Sequence, residues 1–153
     1  VEKRKRLLQG ILVIAIIEIL SFYFIGRDYL FINGLDNMIA YVVAGGIFFA
    51  VSYFLLVEVS NFRKKYILIG IAYVLLVIAP FVYKNHLPHF KVEDAEQIIL
   101  RTEGGRVVKD RELGQTMLNY AGEEVYIIAL KKDGKLKRFA FNPTTEKYFS
   151  ITD

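Results

Sequence analysis

The feature that most constrains this chain is the run from Tyr66 to Tyr83, 18 residues without a charge. A helix of that length rises about 27 Å, close to the thickness of a bilayer's hydrocarbon core. Two further apolar runs precede it. Leu7 to Ile25 is interrupted only by Gln9 and Glu18, and Met38 to Val57 ends at Glu58. Everything after Tyr83 is charged, mixed and compatible with water. The expected fold class is therefore a membrane protein, with three transmembrane α-helices (7–25, 38–57, 66–83), an 84–91 linker and an outer domain over 92–153. At 54% hydrophobic residues, the composition is too apolar for an ordinary soluble domain.

The basic residues then set an orientation. Lys3-Arg4-Lys5-Arg6 and Arg63-Lys64-Lys65 lie directly beside apolar spans. They supply seven Lys/Arg, against three (Arg27, Lys84 and Lys91) on the other side of the spans. The positive-inside bias predicts a cytoplasmic N-terminus and an extracytoplasmic 84–153 segment. Beyond residue 83 there are 12 Lys/Arg against 11 Asp/Glu. The net charge of +4 is thus mostly a topology signal, which argues against a nucleic-acid partner. A basic start before an apolar run also describes a secretory signal. This run is longer than a usual signal core, and Ser21-Phe22-Tyr23-Phe24 offers no small-x-small cleavage site, so an uncleaved anchor is expected.

Within the spans, Glu18 lies near mid-bilayer, where an ionised carboxylate is costly. It is either an ion, proton or partner-subunit site, or a neutral acid hydrogen-bonded by Ser52, Tyr53 or Tyr73. Gly45, Gly46 and Ala50 form a stripe of small residues that permits close helix approach. The stripe serves either this chain's own three helices or an association face, for a partner or for a second copy. Residues 26–37 read as a loop, with Gly26, Asn33-Gly34 and Asp36-Asn37 as turn signals.

In the outer segment, Val92 to Thr102 reads as an amphipathic helix with Val92, Ala95, Ile98, Ile99 and Thr102 on one side. Its acids Glu93, Asp94 and Glu96 suit the helix N-terminus, and Gly104-Gly105 stops it. The period then changes to two. Strands are expected at Arg106–Glu112, Gln115–Tyr120, Val125–Lys132, Lys135–Asn142 and Lys147–Ile151, with Asp133-Gly134 as a hairpin turn. One helix on a three- or four-stranded antiparallel sheet makes a small α+β domain. Its expected core is Ile98, Ile99, Tyr126, Ile128, Leu130, Phe139, Phe141 and Phe149.

The acid-started helix Glu93–Leu100, the strand Val125-Tyr126-Ile127-Ile128-Ala129-Leu130, the Asp133-Gly134 hairpin and the Asn142–Tyr148 turn together resemble a PepSY domain over about residues 90–152. Family members often read Asp-x-x-Thr-Gly-Glu at the final turn, where this chain has Asn142 and no glycine before Glu146. The resemblance implies an extracytoplasmic module that binds or regulates other proteins, proteases among them. It brings no catalytic residues.

No catalytic constellation can be assembled from the sequence. There is no phosphate-binding glycine loop and no nucleophile elbow. Without cysteine, thiolate metal sites are excluded. His86 and His89 flank Pro88, which opposes the helix that would align them on a metal, and neither a metal nor a cofactor is expected. A non-catalytic protein is predicted, with the lipid bilayer and another protein as partners. The outer domain would bind and regulate or help assemble that protein. Alternatively, the chain is an accessory subunit docking through its spans at Glu18, Gly45, Gly46 and Ala50. The closing strand (Lys147, Tyr148, Phe149, Ser150 and Ile151) is either an edge open to strand addition or one protected by its shortness.

Overall fold

The computed structural model describes residues 2–30, 35–109 and 118–151. The chain divides into two compact units, Val1–Phe24 with Gly34–His86, and Ile25–Asn33 with Leu87–Asp153.

The first unit contains α1 (Glu2–Asp28, whose last turn belongs to the second unit), α2 (Leu35–Val51) and α3 (Phe62–Asn85). A π-helical segment, Ser52–Leu56, continues α2. The segments Glu2–Asp28, Asn37–Leu56 and Phe62–Asn85 are each long and apolar enough to cross a membrane. Two tyrosines tie α3 to α1. The Tyr73 hydroxyl donates to the Leu7 carbonyl at 2.9 Å, and the Tyr83 hydroxyl donates to the Phe22 carbonyl at 2.8 Å. The Tyr83 ring also stacks on Phe22 at 4.3 Å between centroids. Contacts 7 with 73 and 22 with 83 advance together, so α1 and α3 run in the same direction. Gly10 makes room for this arrangement, since a Cβ there would collide with the Tyr73 hydroxyl.

α1 and α3 extend past their apolar runs at both ends, and α2 begins three residues before its run. Gly26 is not a turn; it is buried within α1. A glycine weakens a helix interior by only about 1 kcal/mol. The helix closes instead through bonds from Tyr29 N to the Gly26 carbonyl and from Leu30 N to the Arg27 carbonyl. Asp36 and Asn37 lie in the first turn of α2, while Asn33 and Gly34 fall outside the described residues. The basic Arg63-Lys64-Lys65 cluster belongs to the start of α3 rather than to a loop. Asn61 caps that start by accepting a hydrogen bond from Lys64 N at 3.2 Å. Pro80 sits inside α3 without ending it.

The second unit is a small antiparallel sheet domain with one helix. It contains α4 (Val92–Glu103), β1 (Arg106–Val108), β2 (Leu118–Tyr120), β3 (Glu123–Lys132), β4 (Lys135–Phe141) and β5 (Tyr148–Ile151). The strand order is β1-β3-β4-β5, and β2 also pairs with β3. β1 lies opposite Ala129–Lys131 and β2 opposite Glu123–Val125, so the two share one edge of β3. The described sheet therefore has five strands, one more than the upper expectation. Residues 110–112 and 115–117 of the expected first two strands lie outside the described residues.

The core lies between α4 and one face of the sheet. Ala95, Ile99, Tyr126, Ile128, Leu130, Phe139 and Phe141 are buried together, with Phe90, Val92, Ile98, Leu100 and Tyr148 packed around them. One residue expected on the apolar side of the helix and one expected in the core are corrected. Thr102 is exposed and bonds back to the Ile98 carbonyl at 3.0 Å, while Leu100 packs on the core instead. Phe149 stands opposite Ala140, on the face away from α4, and is 40% exposed. Tyr148, opposite Phe141, takes the inner place. A register offset of one residue changes the face of every side chain.

Tight turns set the register of the hairpins. Asp133 and Gly134 both have positive φ, 52° and 76°, as a two-residue hairpin of the favoured twist requires. Ala121 and Gly122 do the same between β2 and β3, with φ of 53° and 85°. Alanine is poorly suited to that conformation, whereas asparagine tolerates it. Ala121→Asn should therefore stabilise the domain by roughly 0.5–1 kcal/mol. A lowered thermal midpoint for the full chain carrying this change would contradict that expectation. At the last turn, the Asn142 side chain organises the backbone. Its Oδ1 accepts from Thr144 N (2.9 Å) and Thr145 N (3.1 Å), and its Nδ2 donates to Glu123 at 2.7 Å. Glu146 takes the left-handed conformation there, with φ of 62°.

Candidate docking surfaces

β5 is a terminal strand, and among the described residues no strand covers its outer edge. Asn142 N donates to the Lys147 carbonyl at 2.8 Å, which fixes the alternation along the β4–β5 ladder. In an antiparallel pair every second residue directs its main-chain groups toward the partner. Phe149 and Ile151, opposite Ala140 and Arg138, therefore face β4. The N–H and C=O groups of Tyr148 and Ser150 point outward. Lys147 lies just before the strand and contributes through its carbonyl. Phe149 and Tyr120 are about equally exposed, and their rings lie 5.0 Å apart, adding an apolar step on the sheet's outer face.

The segment expected to be a linker is partly built into the domain. Phe90 N donates to the Pro143 carbonyl at 3.2 Å, and the Phe90 carbonyl accepts from the Tyr126 hydroxyl at 3.0 Å. Burial raises the Tyr126 phenol well above its ordinary range, which keeps the hydroxyl protonated as the donor this contact needs. Phe90 also meets Phe141 edge-on at 5.9 Å. The readable signal was an aromatic residue two positions before the first helical residue, the place of a hydrophobic staple. His89 Nδ1 lies 3.3 Å from the Thr144 carbonyl, and His86 Nδ1 lies 2.8 Å from the Val82 carbonyl. Each ring is engaged with backbone rather than directed at a shared ligand. Among the described residues no group of three or more metal-ligating side chains converges.

A cleft of about 500 Å³ opens beside α4, lined by Asp28, Leu30, Lys91, Glu96, Val108 and Ile127 among others. Its charges are of both signs. Lys91 Nζ lies 3.3 Å from the Asp28 carboxylate, which holds the ammonium above its usual pKa. Burial first, and the neighbouring Glu93 second, raise the Glu96 carboxyl, while Lys109 opposes them. Among the described residues, no nucleophile and base are brought together here.

In the helical unit, Glu18 is only 7% exposed, and its Oε2 has no hydrogen-bond partner among the described residues. The expected pairing with Tyr73 is not made, because that hydroxyl is committed to the Leu7 carbonyl. Tyr53 is occupied differently, with Lys65 Nζ 4.7 Å from its ring centre. The Gly45–Gly46 stripe is not a close contact between this chain's own helices. A Cβ at either glycine would meet no atom within 4 Å. Both glycines instead line an apolar groove of about 480 Å³ together with Ala15, Met38, Leu75 and Ala79. Ala50 does not line it; it lies one turn beyond Gly46 and is partly buried.

No family model matches the chain, and no curated protein or solved structure matches it.

Proposed function

We propose that the chain is a non-catalytic membrane-anchored protein whose outer α+β domain, PepSY-like in its order of elements, binds another polypeptide and regulates or helps assemble it. Membrane residence is supported by the side chains of the three long helices. Only 11–17% of each apolar window is buried inside the protein, so most of that surface requires a hydrocarbon surrounding. The parallel course of α1 and α3 suits three spans whose first residue and Asn85 end lie on opposite sides of a bilayer. The distribution of basic residues supports a cytoplasmic N-terminus.

The observation that carries the binding role is the open edge of β5. Tyr148 and Ser150 present main-chain donors and acceptors that an extended partner segment can pair with. A proline at Ser150 removes an outward donor and no bond to β4. Ser150→Pro should therefore abolish binding at the edge, with the β3–β4 hairpin still protected from amide exchange. Crosslinking in native membranes measures the first and hydrogen exchange the second. Unchanged partner capture by a folded variant would eliminate the edge as the binding surface.

A second reading, an accessory subunit docked through its spans, is favoured by the unpartnered Glu18 Oε2 and the open glycine groove. Glu18→Gln should leave insertion and folding of the helices intact, because an amide matches the carboxyl in size and can still form hydrogen bonds. Loss of complex formation at normal expression would favour this second reading. Exchanging all three spans for an unrelated anchor separates the two readings, since edge binding survives it and span docking does not.

A further inference from the structure

The outer domain sorts most of its charges by end, the exceptions being Lys91 and Lys147 at the acidic end and Asp133 in the turn at the basic end. Glu93 and Asp94 start α4 and Glu123 and Glu124 start β3, at the end where Phe90 meets Pro143. The opposite end, around the β3–β4 turn, carries exposed Arg106, Lys131, Lys132, Lys135 and Lys137. Two like-charged pairs stand directly across the sheet there, Arg106 opposite Lys131 and Lys132 opposite Lys135. Directly opposed like charges destabilise a sheet. Lys132 Nζ finds the neutral Glu103 carbonyl at 2.7 Å. Among the described residues, none of these five side chains forms an ion pair.

We infer that this basic hairpin end is a docking surface for an acidic polypeptide segment in the aqueous phase, separate from the β5 edge and standing whether or not that edge is used. Charge complementarity identifies the occupant's sign, and the geometry identifies its kind. Side chains alternate between the faces of a strand, so Arg106 and Lys131 share one face while Lys132, Lys135 and Lys137 share the other. A planar array of lipid headgroups meets one side of such a ribbon, whereas a flexible chain can cross its tip and reach both. Four of the five cations in the patch are lysines. These point charges on flexible stems suit carboxylates spaced along a chain better than a fixed phosphate fork.

Leu136 lies within the patch, is 46% exposed and carries no charge, so a photo-crosslinker can replace it without altering the cations. The full chain carrying Leu136→benzoylphenylalanine is irradiated in native membranes, and the adduct is sequenced. The expected product is a peptide with a net negative charge. K135E/K137E should reduce its yield at least tenfold, and 0.5 M salt should do the same, as screening of exposed charges requires. The same double substitution relieves the Lys132–Lys135 opposition, so the thermal midpoint should rise rather than fall. This separates lost docking from lost folding. A phospholipid adduct, a neutral or basic peptide, no adduct, or an acidic adduct indifferent to the charge reversal would each overturn the assignment. The Ser150→Pro variant should keep this adduct even where it loses binding at the β5 edge.

Discussion

Phe141→Ala should unfold the outer domain under conditions in which the parent protein is fully folded. Phe141 is completely buried, paired with Tyr126 across β3 and β4, and met edge-on by Phe90. Truncating such a side chain costs about 3–5 kcal/mol, the lost transfer energy plus the cavity left behind. A domain of this size has a total stability of only about 3–10 kcal/mol. The substitution therefore removes most of the margin. Hydrogen exchange in the full chain should show β3 and β4 amides losing protection together. Phe149→Ala is the control. That ring is 40% exposed on the other face, and its loss should cost less than about 1 kcal/mol. Equal effects at the two positions would mean that the face assignment is wrong.

Gly105→Ala should be nearly as damaging, for reasons independent of hydrophobic burial. Gly105 has φ of 95°, and a Cβ there would lie 2.7 Å from the Lys131 carbonyl oxygen. The left-handed conformation alone costs an L-residue about 1–2 kcal/mol. The colliding atom belongs to the backbone of a paired strand, so relief requires β1 to move away from β3. A combined loss of roughly 2–4 kcal/mol is expected, of the size that overpacking produces. Gly104→Ala is a useful comparison. Gly104 also has positive φ, but the nearest atom to its Cβ is the flexible end of Lys132 at 3.9 Å. It should show the conformational part of the loss alone. An equal response at both glycines would show that the contact with β3 contributes nothing.

Much of this architecture could be read from the chain because its signals are periodic or local. The apolar runs, the Asp133-Gly134 turn and the Ala95–Ile99 face each depend on residues close in sequence. What could not be read depends on distant partners. Ala121-Gly122 makes a hairpin because β2 has β3 to pair with, although alanine is a poor turn residue. Both faces of β3 are apolar, so only pairing decides that Phe149 lies opposite Ala140. Phe90 looks like linker until the Pro143 carbonyl and the Tyr126 hydroxyl are placed beside it. For Glu18, the sequence offers three hydroxyls at plausible heights, but geometry commits Tyr73 to α1's backbone. The glycine stripe was legible as a place for close approach, but not as the wall of a groove that no helix of this chain fills.

The attachment of Phe90 also determines how the domain would carry a mechanical load. Only residues 86–91 separate α3 from α4, and the strand-like bond from Phe90 to Pro143 falls within that interval. Tension passed along the chain from Asn85 would be taken by the His89 contact with Thr144, by this bond and by the Tyr126 hydroxyl, ahead of the first turn of α4. Pro143 belongs to the turn that leads into β5. A pull at the base of the domain would thus be transmitted to the hinge of the edge strand, making the pairing of Phe90 a force-bearing joint as well as part of the core.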